Sequence, residues 1–286
     1  MCIRDSVWGE PMTPRPLSLD ELSIVLAWAE AEGWNPGLED AAAFYAADPE
    51  GFFVAEIDGA PVAAISVVNH SDDYAFLGLY ICRPDFRGRG VGYSLWQHAL
   101  ANAGVRTVGL DGVPEQQANY RKSGFELASQ TTRLSGILPG GEARGVRAVR
   151  RSDLAALYAM DVDATGVSRR AFVETWLTDT ATRKTLVMEA DDRPSGFVTV
   201  RQCVNGFKIG PLVAGSLSEA KALMEGAAAI TGASEVMIDL PQEVAALMEH
   251  CRKIGMRPCF STARMYRGTP PAAGTGIMAV ATLELG

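Results

Sequence analysis

With 286 residues, 48% of them hydrophobic and 21% charged, the chain has the composition of an ordinary soluble protein long enough for two domains. Its formal charge of -8 excludes a basic footprint for nucleic acid and favours a cationic partner, while its longest apolar runs, 62–68 and 75–82, are too short to span a bilayer. Five cysteines, an odd number without Cys-x-x-Cys spacing, argue against a disulfide frame or a zinc site and fit a reducing cytoplasm.

Residues 1–16 lack periodicity and the apolar core of a signal peptide; a disordered extension is expected, with Met12 as a possible start. A helix is predicted over 17–32, with Ser18 as N-cap, Glu21 completing a capping box, and Leu22, Val25, Leu26 and Ala29 facing inward. Gly33-Trp34-Asn35-Pro36-Gly37 interrupts it, and a second helix over 38–46 stops near Asp48-Pro49. Strands over 51–57 and 61–69 are joined at Asp58-Gly59, a dipeptide suited to a tight hairpin. A third strand over 75–82, uncharged and closed by Arg83-Pro84, completes an antiparallel meander. His70, at the turn before it, reads as a lone surface histidine titrating near neutrality.

The chain is organised around what comes next, Arg87-Gly88-Arg89-Gly90-Val91-Gly92. A helix follows, with Leu95, Trp96, Ala99, Leu100 and Ala103 on one face and Gly104 as a left-handed C-terminal cap. Glycines let the backbone approach a ligand, and the unpaired amides of the first helical turn, with the positive end of the helix dipole, favour an anion. Two guanidiniums suit phosphate oxygens. A dinucleotide fingerprint is excluded because it needs glycine at Tyr93 or Leu95, and no Gly-Lys-Ser/Thr is present for a nucleoside triphosphate. A buried strand over 105–111 and a short helix over 115–122 follow.

The loop resembles motif A of the superfamily of N-acetyltransferases abbreviated GNAT, Arg/Gln-x-x-Gly-x-Gly/Ala, through Arg87, Gly90 and Gly92. Asn119-Tyr120-Arg121-Lys122-Ser123-Gly124-Phe125 is similar to the family's Tyr-x-x-x-Gly-Phe segment. The resemblance implies acetyl transfer from acetyl-coenzyme A to a primary amine of a small molecule or amino acid, without a metal. It assigns the coenzyme to Tyr80, Ile81, Cys82, Arg87, Gly88, Arg89, Gly90, Val91, Gly92, Asn119 and Tyr120, with backbone amides near Tyr80 to Cys82 polarising the thioester carbonyl. Tyr120 is the implied proton donor to the departing thiolate. The turn between the first two helices implies acceptor contacts from Trp34, Asn35 and Asp40. Many family members carry a basic carboxylate on the strand before the loop; 75–82 has none, so Asp40, Asp73 and Asp111 are the nearest candidates, with a water chain as the other route. A non-catalytic acyl-coenzyme A sensor, or transfer to a protein or peptide amine, is the alternative reading.

After a Gly/Pro-rich joint at 136–145 the pattern repeats at a period of roughly 130 residues. Helices over 152–161 and 168–177 precede a hairpin over 185–203 that turns near Asp191-Asp192-Arg193-Pro194, then a strand over 207–213 and a helix over 216–230. Val236-Met237-Ile238-Asp239-Leu240 and Arg264-Met265-Tyr266-Arg267-Gly268 parallel Val108-Gly109-Leu110-Asp111 and Arg133-Leu134-Ser135-Gly136. In place of the arginine-glycine loop stands Pro211-Leu212-Val213-Ala214-Gly215-Ser216-Leu217-Ser218, and Glu219 puts a carboxylate in the first helical turn, where it would repel pyrophosphate. The implied fold is mixed α/β, of α+β type: two tandem GNAT-like domains, 17–135 and 146–286, each a central mixed sheet flanked by helices, the second degenerate. The apolar tail 277–285 is expected to form a last strand pairing back onto a sheet. One acetyl-coenzyme A per chain is expected, held by the first domain even in a chain ending near Leu138. Arg169, Arg170, Trp176 and Arg201 are candidates to face the Trp34 turn and bind an acceptor carboxylate.

Overall fold

The computed structural model describes residues 14–286, so the expectations for the first 13 residues lie outside the described residues. The first half runs β1 (Arg15–Pro16), α1 (Leu19–Ala31), α2 (Asp40–Ala47), β2 (Phe52–Ile57), β3 (Ala60–Asn69), β4 (Tyr74–Cys82), α3 (Val91–Asn102), β5 (Thr107–Gly112), α4 (Gln117–Lys122) and β6 (Glu126–Gly136). The second repeats it as β7 (Val146–Ala148), α5 (Leu154–Thr165), α6 (Arg170–Trp176), β8 (Arg183–Ala190), β9 (Arg193–Gln202), β10 (Phe207–Val213), α7 (Leu217–Thr231), β11 (Val236–Pro241), α8 (Ala245–Lys253) and β12 (Arg257–Arg267), followed by β13 (Ile277–Ala279).

Local chemistry accounts for the element ends. Ser18 and Glu21 form the reciprocal capping box of α1, whose buried face is Leu22, Val25, Leu26 and Ala29. Asp58 and Gly59 both take positive φ, 52° and 73°, which a tight hairpin between right-twisted strands requires. Gly104 closes α3 in the left-handed region at φ 58°. The chain turns there, Arg106 N donating to Ala103 O at 3.2 Å, so Val105 is fully exposed and β5 begins two residues later than its apolar run predicts.

The two sheets expected from the sequence are joined into one. Among the described residues the strand order is β1-β2-β3-β4-β5-β12-β6-β11-β10-β9-β8-β7, with β13 beside β10. This order reads the same from either end if each strand is exchanged for its counterpart, β1 for β7 through β6 for β12. The halves have therefore traded their last strands: β12 lies antiparallel between β5 and β6, and β6 lies antiparallel against β11.

Each traded strand is fastened by a buried ion pair at the same place. Arg133 of β6 sits opposite Asp239 of β11 and donates through Nε and Nη2 at 2.7 and 2.8 Å. Arg264 of β12 sits opposite Asp111 of β5 and donates through the same two nitrogens at 2.9 and 2.7 Å. On one face of the sheet, side chains of α1, α2, α5 and α6 share a core that spans both halves, with Leu22, Phe44, Leu157 and Trp176 at its centre. On the other face α3 packs over the first half around Trp96, and α7 and α8 over the second around Leu223 and Leu247.

Candidate active site

The site begins where β4 and β5 part. They pair in parallel from Tyr74 with Thr107 to Leu77 with Leu110 and no further. The β3–β4 register shifts at the same point, and Leu79 takes φ 46°, a conformation a leucine adopts only when its surroundings impose it. Beyond Leu77, alternate backbone groups of β4 face an open gap.

The glycine loop lies just past the end of that gap. Gly88 and Gly90 take φ 75° and 83°, and Gly90 is the N-cap of α3 without a side chain to satisfy its first-turn amides. Gly92 is glycine for another reason: a Cβ there would lie 2.6 Å from the Tyr80 hydroxyl. Arg87 braces the loop from within, donating through Nε to Cys82 O at 2.8 Å and pairing with the exposed Glu32. Arg89 lies over the Phe86 ring, 5.3 Å from its centroid.

Two tyrosines face the cleft between the strands. Tyr120 stacks on Trp96 with centroids 5.3 Å apart, and burial raises its phenol above the ordinary value. Burial likewise pushes the Tyr80 phenol up to about 12. Both therefore carry their proton at neutral pH. Trp34 and Asp111 line the same cleft, joined by Arg133 and Phe260 from the traded strands and by Leu283 and Glu284 from the tail.

The other sequence candidates lie elsewhere or are already engaged. Ile81 points into the core beneath α1, and Cys82 holds a half-buried thiol that burial pushes up. Asn119 is exposed and donates to Gln116 Oε1 at 3.0 Å. Asn35, at φ 52°, clamps the halves together: its Nδ2 donates to Asn205 O at 2.8 Å and its Oδ1 accepts from Asn205 N at 2.9 Å. Asp40 accepts from Gly37 N at 2.8 Å and is buried facing Arg201 at 3.3 Å and Arg183 at 3.7 Å, away from the cleft. Asp73 accepts from Ser71 Oγ at 2.6 Å in an exposed turn. Both oxygens of Asp111 are occupied by Arg264, a poor state for a base.

The cations proposed for an acceptor carboxylate are also engaged. Arg169 forks onto Asp161 at 2.8 and 2.7 Å, and Arg170 pairs with Glu174. Trp176 is flanked by Arg183 and Arg201, 4.6 and 4.7 Å from its centroid, and its Nε1 donates to Gly210 O at 3.0 Å. His70 is not an idle surface histidine. Its Nε2 is 2.9 Å from Leu285 O, and burial pushes its pKa down to about 4.

The second half reproduces the gap and fills it. β10 and β11 pair from Phe207 with Val236 to Ile209 with Ile238, then part at Gly210, and the β9–β10 register shifts there as in the first half. Into this gap runs β13, Ala279 opposite Leu212 and Ile277 opposite Val213, and Val280 N donates to Asp239 O at 3.1 Å. At the start of α7, Ser216 caps Glu219 N and the Glu219 carboxylate accepts from Gly215 N at 2.8 Å, so the loop amide that would meet an anion is already satisfied.

From there the tail crosses to the first half. Arg201 Nη1 donates to Ala281 O at 3.1 Å, Leu285 N to Thr282 Oγ1 at 2.9 Å, and Arg169 to Gly286 O. The Glu284 carbonyl sits against Gly78 so closely that only glycine fits at the β4 bulge. The sequence predicts a strand over 277–285, and the one acidic residue within that apolar run is Glu284. Among the described residues no group of His, Cys, Asp and Glu is set to hold a metal, and no helix is long and apolar enough to cross a membrane.

Residues 19–125 match the model of the Acetyltransferase (GNAT) family, and residues 157–276 that of the Acetyltransferase (GNAT) domain. The chain is 36% identical over 278 residues to holothin acyltransferase of Pseudoalteromonas sp. (strain SANK 73390), covering 96% of this chain and 94% of that protein. A crystal structure from Pyrococcus horikoshii, assigned to the acetyltransferases, superposes with a TM-score of 0.83 at 21% identity, over 100% of this chain and 99% of that one. The tandem GNAT protein of the clavulanic acid biosynthesis pathway superposes with a TM-score of 0.61 at 15% identity, over 92% of this chain and 100% of its own.

Proposed function

The chain belongs to the GNAT acetyltransferase family and is an acyltransferase, and from that premise we propose that it moves an acetyl group from acetyl-coenzyme A to the primary amine of a small molecule, at one site in its first half. Members of the family use acyl-coenzyme A as donor. The observation that carries the reading is the inequality of the two gaps: the first ends at a glycine loop and is open, the second is filled by the chain's own β13. That filling is also the test of fit. An extended, amide-bearing strand pairs with β10 at Leu212 and Val213, which correspond to Tyr80 and Ile81 of β4, so the pantetheine arm of the coenzyme, extended and carrying two amides, suits the equivalent edge.

Bound there, the coenzyme would supply the thioester as acyl donor. Loop amides at the start of α3 hold the pyrophosphate, and β4 amides beyond Leu77 polarise the carbonyl oxygen. Tyr120, kept protonated by burial, gives its proton to the departing sulfur. The cleft is walled by Trp34, Tyr80, Tyr120 and Phe260, a lining that suits an acyl group and a small amine head.

Release of free thiol from acetyl-coenzyme A across a panel of amines tests this. The panel includes small primary amines, peptide amines, and holothin, for which the relative is named. Turnover with a small amine is the expected result. Turnover with peptides alone would move the acceptor to a protein, and binding of the coenzyme without any turnover would leave a sensor.

A further inference from the structure

We infer that Glu284, on the segment after β13, receives the acceptor's ammonium group and takes its proton, so that acceptors are primary amines that enter as cations with an apolar or aromatic body. The inference rests on the acetyl-transfer reading above and supplies the base that 75–82 lacks.

Three observations carry it. Glu284 lines the cleft together with Tyr80 and Tyr120, and its backbone touches the β4 bulge at Gly78, where β4 and β5 part. Its segment is fixed on both sides, by the bonds at Ala281, Thr282, Leu285 and Gly286, so the side chain hangs from a rigid support. Glu284 as a residue is 6% exposed, and among the described residues its carboxylate accepts no hydrogen bond and forms no ion pair, while its oxygens are not among the sealed polar atoms and so stay open to the cleft. A carboxylate that opens on the cleft with no direct hydrogen-bond or ion-pair partner is free to receive a ligand of opposite charge.

The neighbours do not compete for the role. Asp111 of β5 and Asp239 of β11 are each forked by an arginine. The cations that act on Glu284 through space, Arg133 of β6, Arg201 of β9 and Lys208 of β10, are held respectively by Asp239, by Asp40 and Ala281 O, and by Trp34 O at 2.7 Å. Trp34 and Phe260 supply aromatic faces for the body of the amine.

The acceptor enters as R–NH3+, and one proton passes to the Glu284 carboxylate, directly or through one water. The freed lone pair forms the C–N bond at the thioester carbonyl carbon and the C–S bond breaks. Tyr120 gives its proton to sulfur and regains one from the nitrogen, leaving amide, free thiol and a proton on Glu284 that returns to solvent.

The test is E284Q, read by acetyl-coenzyme A affinity and by kcat/KM against pH. Coenzyme affinity is expected within about twofold of wild type. At neutral pH kcat/KM is expected to fall on the order of 100-fold or more, and to recover about tenfold per pH unit toward the acceptor's own pKa, because only amine already deprotonated in solution then reacts. A loss that is equal at every pH, or a kcat/KM within about threefold of wild type, overturns the assignment. Asp111, Asp239, Arg133, Arg201, Lys208 and Tyr120 all remain in the variant, so its changed pH dependence reports Glu284. Should E284Q fail to fold, E284A, which also removes the carboxylate, is judged by the same two readouts. A wild-type protein that turns over no amine overturns both readings; active wild type matched by an equally active E284Q overturns this one alone.

Discussion

Tyr120 shows what a single side chain contributes. Its ring is held by Trp96 and its hydroxyl faces the cleft, so Tyr120→Phe keeps the stack and removes only the proton. The expected outcome is a kcat lowered by about 100-fold with coenzyme affinity unchanged, since a proton given in the transition state contributes to rate and hardly to ground-state binding. Steady-state kinetics with calorimetry check it, and an unchanged kcat with chemistry rate-limiting would leave Tyr120 a packing residue. His70 makes a pH dependence. The folded state keeps it neutral, down to about pH 4, while the unfolded chain takes up the proton near 6.5. Its folded value is depressed, so the unfolded state binds more protons between those limits, and stability is full above pH 6.5 and lost as pH falls toward 4. Melting temperatures at pH 7.5 and pH 5 should drop more for wild type than for His70→Gln; equal drops would contradict it. At this scale the backbone of the glycine loop was legible, because Gly88 and Gly90 lie within one strand-loop-helix unit whose spacing sets their positions, and patterning placed Tyr120 on a short helix of the next unit. Glu284, Arg133 and Phe260 were not, because each reaches the cleft from a distant segment.

The elements themselves were readable nearly to the residue, from the capping box of α1 through the hairpin turn at Asp58-Gly59 to the cap at Gly104. Which strand lies beside which was not. An alternating strand presents the same pattern to either neighbour, so nothing local in β6 or β12 distinguishes its own half from the other. The repeated Asp111/Asp239 and Arg133/Arg264 were the available sign, visible as a duplicated pattern and paired only across the exchange. These pairs make an element-scale test. Arg264→Met leaves Asp111 buried and unpaired and is expected to cost about 3–5 kcal/mol in denaturant unfolding, whereas replacing both partners together, Asp111→Leu with Arg264→Met, should recover most of it. A single-variant loss below about 1 kcal/mol would mean the pair does not fasten β12.

For the whole molecule, the two copies are unequal in structure. One half keeps an open gap with a glycine loop, and the other fills its gap with β13 and sends the tail onward to complete its neighbour's cleft. A chain ending near Leu138 would strip β6 of both its partners, β11 and β12, and leave β5 with an open edge. Coenzyme retention by the isolated first half, expected from the sequence, does not follow from this topology. The sequence showed two copies and their inequality, but not that each is completed by the other.

The central claim, one coenzyme site formed by the first half's loop and gap, is tested most directly by calorimetric titration of the full chain with acetyl-coenzyme A, beside a Gly90→Val variant confirmed as folded by its melting transition. Gly90 sits at φ 83°, where a β-branched residue is strained and the loop cannot keep its approach. The account predicts saturation at one equivalent per chain and a Kd weakened at least tenfold in the variant, about 1.4 kcal/mol. Two equivalents per chain, or an unchanged Kd in folded Gly90→Val, would contradict it.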